Sequence, residues 1–172
     1  INPENPQPKP NVGPEFSGVA LGEDGRPYCV DKSMNMSTED VEKTLLGLMP
    51  LIQERLKFLT EAAEMVHFMF TEPVVPPAEQ IIPKKIDLAK TKEVLEDAKD
   101  FVAKVFDLDH EAAENLAKEK AEALGIKLGD FMMPIRMAVT GSRVSPPLIG
   151  SILVLGKEKS IARIDKTLAA LN

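Results

Sequence analysis

The placement of proline most constrains what this chain can fold into. Nine of its fourteen prolines fall in two clusters, Pro3, Pro6, Pro8, Pro10 and Pro14 near the start and Pro73, Pro76, Pro77 and Pro83 near the middle. Proline fixes φ, lacks the backbone N–H and pushes the preceding residue out of the helical region, so neither cluster can lie inside a regular element. The first cluster makes residues 1–36 an irregular segment, in which residues 19–21 and 28–30 could pair as a short hairpin about Gly22-Glu23-Asp24-Gly25. The second cluster reads as a linker between two blocks, 37–83 and 84–172.

Within the blocks the apolar residues recur at helical spacing. In the first block Leu45, Leu48, Leu51, Ile52, Leu56, Leu59, Ala63, Val66 and Phe70 form stripes. Ser37 with Asp40 resembles a capping pair, which predicts a helix from residue 38 toward 49. Pro50 should interrupt it, with further helices over about 51–59 and 61–70. The second block opens at Asp87 with a helix over about 88–106, and Asp109 is a candidate N-cap for the next, over about 110–124, stopped by Gly125. Helices over about 128–139, 146–155 and 157–171 follow, with Pro134 kinking the first or delaying its start. Ser145 should cap the helix beginning at Pro146. No long alternating strand pattern appears. The expected fold is all-α: two small helical bundles, a helical cage joined by a Pro-rich linker, after an irregular N-terminal segment.

Hydrophobic residues make up 44% of the 172 and aromatics only 5%, with no Trp, so the core must be aliphatic. The single cysteine, Cys29, excludes an intrachain disulfide and fits a reducing compartment. No apolar run approaches a membrane span, and the Pro-rich polar start does not resemble a signal peptide. A first residue of Ile1 suggests a piece of something longer. No catalytic or metal site is expected. One Cys with the separated His67 and His110 supplies no zinc set, and neither a GxxxxGK[ST] loop nor a Gly-x-Ser-x-Gly elbow occurs. Asp and Glu follow solvated helix faces beside Lys.

The net charge of −6 argues against indiscriminate nucleic-acid binding, yet it conceals an asymmetry. Residues 126–172 carry seven Lys/Arg against three Asp/Glu, a balance of +4, which leaves −10 for the rest. Arg136, Arg143, Lys157, Lys159 and Arg163 cluster in sequence around Thr140-Gly141 and Ser145-Pro146-Pro147-Leu148. Gly141 permits a sharp exit from one helix, and a new helix start offers free N–H groups at the positive end of its dipole. Such a loop suits unstacked bases, which are held by stacking, planar Arg contacts and hydrogen bonds to base edges. An ordinary helix–turn–helix connection would look the same, and the residues alone leave both readings open.

Pro134-Ile135-Arg136, Ala138-Val139-Thr140-Gly141, Ser145-Pro146-Pro147-Leu148 and residues 155–164 (LGKEKSIARI) resemble the C-terminal signature of bacterial-type glutamyl-tRNA synthetases. Residues 51–65 (LIQERLKFLTEAAEM) and Phe68-Met69-Phe70 are similar to the same family's helical segment. The likeness spans about residues 37–171, in the family's order. It implies an all-helical cage that binds the anticodon loop of glutamate tRNA, in a cytoplasmic ligase that charges that tRNA with glutamate. Carried over residue by residue, Arg136 matches an arginine that contacts the anticodon. Ser145, Pro146 and Leu148 match positions lining the base pockets, and Arg55 matches the arginine that reads the third anticodon base. Arg143 joins them as a cation of the same loop. No adenylate-binding HIGH-like tetrapeptide is present, and Asp31-Lys32-Ser33-Met34-Asn35 is not a KMSKS loop. The resemblance therefore implies no cofactor here, with ATP and Mg belonging to the parent's catalytic domain, and no ligase activity in this piece alone. The implied partners are tRNA and that catalytic domain, not DNA or a membrane. A rival of another class is a helical protein–protein docking module using the Met-rich segments 65–70 or 132–137.

Overall fold

The computed structural model describes residues 36–53, 55–56 and 59–172. The hairpin expected over residues 19–30 lies outside them. Among the described residues the regular elements are all α-helices: α1 Thr38–Ile52, α2 Leu59–Phe70, α3 Ala78–Ile81, α4 Leu88–Val105, α5 His110–Ala123, α6 Leu128–Thr140, α7 Leu148–Leu155 and α8 Lys157–Ala170.

Local chemistry sets most of the boundaries. Ser37 and Asp40 form a complete capping box: the Asp40 N–H donates to Ser37 Oγ at 3.1 Å and the Ser37 N–H to Asp40 Oδ2 at 3.1 Å. Hydrogen bonds from Ser37 hold the Asp40 carboxyl below its ordinary range. Asp87 and Asp109 cap α4 and α5 by accepting from Lys90 N and Ala112 N, each at 2.8 Å. Gly141 ends α6 at φ +69°, its N–H donating to Met137 O at 2.9 Å. A Cβ at this position would stand 3.0 Å from Pro73 Cβ. Gly141→Ala should therefore cost about 1–2 kcal/mol from the left-handed backbone alone, measurable as a lowered urea midpoint at unchanged slope. An unshifted midpoint would show that the turn relaxes to a right-handed form.

Three boundaries depart from expectation. Pro50 does not end α1, which runs on to Ile52, with Gln53 N donating to Met49 O at 3.0 Å. The carbonyl that Pro50 leaves unpaired belongs to Leu46, a residue 73% exposed, where water can take over. The chain leaves the helix at residues 53–56 instead. Arg55 N and Leu56 N both turn back to Ile52 O, so the helix expected over about 51–59 does not include Arg55 or Leu56. Pro134 does not delay α6, which starts at Leu128 and continues through it. Finally, α7 begins at Leu148 with Pro147 in the cap position, and Ser145 caps nothing. Pro147 excludes Pro146 from the helical region, so two consecutive prolines postpone the start by two residues.

The buried residues form one connected cluster, from Val41 on α1 to Leu171 after α8. It is mostly aliphatic, and within it Phe101 on α4 meets Phe131 on α6 edge to face, at 5.8 Å and 83°. α1 packs on α2 and α7, and α8 packs on α4 and α6. Gly47 and Gly150 permit the α1–α7 approach: their Cβ positions would lie 3.4 Å from Val154 Cγ2 and 2.7 Å from Leu51 Cδ1. Val66, Phe68, Met69, Phe70 and Met137 are buried in this core. Ion pairs tie some of the helices together, with Lys120 reaching Asp97 at 2.8 Å and Asp100 at 2.9 Å, and Lys99 reaching Asp165 at 3.1 Å. Among the described residues no helix is long and apolar enough to cross a membrane.

Candidate nucleic-acid interface

The connection between α6 and α7 is an ordered loop stitched by side chains. Thr140 Oγ1 donates within the loop, to Arg136 O at 2.9 Å or Ser142 O at 3.0 Å, and accepts from Ser142 N at 3.3 Å. Ser142 Oγ accepts from Val144 N at 3.1 Å. At the far end of the loop Arg136, half-buried, takes hold of the backbone. Its Nη1 donates to Pro146 O at 3.0 Å and contacts Ser145 Oγ, with Ser145 O at 3.5 Å. Arg136 thus satisfies carbonyls that no helix satisfies, since proline spacing keeps residues 145–147 out of α7.

The expected site residues are placed differently from one another. Ser145 is 4% exposed and Leu148 2%, and Pro146 is buried as well. Their side chains shape the loop from within and do not face solvent. Arg143 is exposed and turns the other way, Nη2 lying 3.4 Å from Gln80 O on α3. Arg163, counted in sequence among the cations near the loop, is 3% exposed and belongs to the core. Its Nη1 donates to Val139 O at 2.8 Å, and its Nη2 to Phe68 O at 2.8 Å and Thr71 O at 3.1 Å. One guanidinium therefore ties down the carbonyl ends of α2 and α6, where a positive charge also meets the negative ends of two helix dipoles. Lys157 and Lys159 are exposed in the first turn of α8.

Arg55 and Arg136, 81 positions apart in sequence, are brought together. Burial first, and then the positive charge of Arg55, push the Arg136 guanidinium below its ordinary proton affinity. Beside them lies a groove of about 370 Å³, lined by Pro50, Leu51, Arg55, His110, Pro147 and Gly150. Its walls come from the end of α1, the turn after it, the first turn of α5 and the start of α7. Pro50, Leu51 and Pro147 give it apolar surfaces, and Arg55 and His110 give it planar polar groups. The start of α7 carries no side-chain cap, so the positive end of that helix adds to the field. A cation in Arg55 beside apolar walls is a combination that suits an anionic, flat-faced ligand.

His110, Pro147 and Gly150 were not legible as site residues in sequence. His110 sits inside a helical pattern with nothing around it to mark it, and only the packing of α5 beside α1 and α7 brings it to the groove. Pro147 stood next to expected site residues; its neighbour Pro146 turns inward and Pro147 outward. Among the described residues no group of three or more His, Cys, Asp or Glu could hold a metal ion.

The family model described as an anticodon binding domain matches residues 21–168. The chain is 54% identical over 132 residues to a glutamate–tRNA ligase of Treponema denticola, an alignment covering 77% of this chain and 26% of that protein. It is 43% identical over 135 residues to the glutamate–tRNA ligase of Treponema pallidum (strain Nichols), covering 78% and 25%. A Roseiflexus sp. (strain RS-1) glutamate–tRNA ligase is 40% identical over 134 residues, covering 78% and 26%. The chain thus spans about a quarter of the length of the curated relatives it matches. A crystal structure of a glutamate tRNA ligase from Elizabethkingia meningosepticum in complex with its amino acid superposes with a TM-score of 0.61 at 24% identity. That match covers 80% of this chain and 26% of the other, and the likeness is one of fold. With a helical fold, a groove lined by Arg55 and a family model matching most of its length, the chain belongs to the anticodon-binding domain family, and its relatives are glutamate–tRNA ligases.

Proposed function

We propose that this chain is the anticodon-binding part of a cytoplasmic glutamate–tRNA ligase and reads the anticodon loop of glutamate tRNA. ATP, Mg and the joining chemistry belong to the parent's catalytic domain. The observation that carries the reading is a groove with apolar walls that Arg55 lines, with Arg136 holding the Pro146 carbonyl next to its Pro147 wall. In this reading Arg55 addresses the third anticodon base through its planar guanidinium, which suits the acceptor atoms of cytosine. Arg136 keeps the loop in shape through Ser145 and Pro146 and contributes positive field, while Leu148 anchors that loop in the core. Arg143 and the exposed Lys157 and Lys159 serve the phosphates, which position the RNA without reading it. The block 37–83 supplies Pro50, Leu51 and Arg55 to the groove, and the block 84–172 supplies His110, Pro147 and Gly150, so the two act as opposing walls of one grip.

The rival docking module keeps little free apolar surface, since Val66, Phe68, Met69, Phe70 and Met137 are buried in the core and Met65, Met132 and Met133 are half-buried against it. Titrating the chain with glutamate tRNA and glutamine tRNA at two salt concentrations tests the proposal. Glutamate tRNA should bind more tightly, and its affinity should fall steeply as salt rises, because each phosphate contact releases counterions. Affinity indifferent to salt, or no binding of either tRNA, would overturn it.

A further inference from the structure

His110 carries no role in the family signature quoted above, yet it forms one wall of the groove that Arg55 also lines. It is the first residue of α5, directly after the Asp109 cap, and its position is fixed because Asp109 accepts from Ala112 N at 2.8 Å. Its side chain is 67% exposed, and its Nε2 edge lies 3.4 Å from the Glu114 carboxylate one helical turn along. An imidazole held at that edge is a flat surface of limited freedom. Around the groove are the three kinds of group that hold an unstacked base: apolar faces from Pro50, Leu51 and Pro147, a planar cation in Arg55 and a ring in His110. Gly150 leaves the floor open, since any Cβ there would drive Leu51 out of its place.

We infer that His110 is a base-contacting residue of this domain: it stacks on the nucleobase that enters the groove, and Arg55 addresses that same base. The inference rests on the anticodon-reading function proposed above and adds to it a residue and a stoichiometry, one base for two side chains on different helical blocks. Stacking tolerates any base, because every base has a flat π-face, so His110 supplies affinity and Arg55 supplies choice. Glu114 keeps the ring oriented and, being acidic, keeps the backbone phosphates from settling on that wall.

The test uses the whole chain and the anticodon stem–loop RNA of glutamate tRNA, either intact or carrying an abasic site at one of the three anticodon positions. Against the intact loop His110→Ala should weaken binding about tenfold, the scale of one lost base–ring stack, while His110→Phe should stay within about twofold. With an abasic site at one of the three positions the His110→Ala penalty should vanish, and the Arg55→Ala penalty should vanish at that same position. Penalties that vanish at different positions would overturn the shared-base inference. An unchanged affinity for His110→Ala, alongside a weakened Arg55→Ala, would remove His110 from the site and leave the anticodon reading standing. Failure of the unsubstituted chain to bind any of the loops would overturn both. Thermal unfolding of each variant separates lost contact from lost fold, since an exposed first-turn histidine should change the melting point little.

Discussion

Arg163→Leu should destabilise the domain by about 3–5 kcal/mol, because two buried carbonyls and one half-buried carbonyl lose a charged donor and each such loss costs about 1–3 kcal/mol, softened where water enters. The arginine donates to Val139, Phe68 and Thr71, at the ends of α6 and α2, where no helical N–H remains to serve those oxygens. Leucine keeps the apolar stem and removes the fork. Arg163→Lys should recover only part, since one ammonium is a compact point donor and cannot span carbonyls on two helices in a fixed plane. Urea unfolding read at two wavelengths checks both variants, and a loss below about 1 kcal/mol for leucine would mean that the carbonyls find other partners. RNA affinity of whatever fraction remains folded should be unaltered, because the guanidinium does not reach solvent.

Arg136→Ala should have the largest effect on RNA binding, a loss of about 1–3 kcal/mol at fixed salt. Two contributions combine. The backbone at Ser145 and Pro146 loses its donor, so the start of α7 and the Pro147 wall of the groove loosen. The positive field near Arg55 loses the contribution of Arg136. Arg136→Lys separates them, since it restores the charge without the planar fork. Recovery to within about twofold would assign the effect to charge, and persistence of most of the loss would assign it to the loop. Unchanged affinity of Arg136→Ala would remove this residue from the reading altogether. Because Arg136 is half-buried, the melting temperature should fall as well, whereas Arg55→Ala, on an exposed turn, should leave it nearly still.

What could be read from the sequence was local. The capping box at Ser37, the cap at Asp109 and the stop at Gly141 each depend on a few neighbouring residues, and each stands where spacing placed it. Pro50 was misread because its cost depends on whether the carbonyl one turn back can be hydrated, a question of exposure that sequence spacing does not answer. The start of α7 falls two residues later than Pro146 suggests, because Pro147 imposes on Pro146 a restriction that capping rules for single residues omit. Arg163 looked like one more cation on a basic helix, although three carbonyls from two other helices make it a core residue. The groove is the extreme case: its lining runs from Pro50 to Gly150, and no window of sequence contains it.

The Arg163 clamp also orders events in time. Phe68 O and Arg163 Nη2 meet across 95 positions, so the end of α2 is made long before the group that satisfies it. During synthesis the carbonyls of Phe68 and Thr71 must stay hydrated until α8 has emerged, and the apolar face of α2 must wait with them. Closing so long a loop is slow by its entropy alone. A ribosome that stops short of residue 163 therefore releases a chain whose early helices have no way to finish, and such chains become substrates for chaperones and proteases.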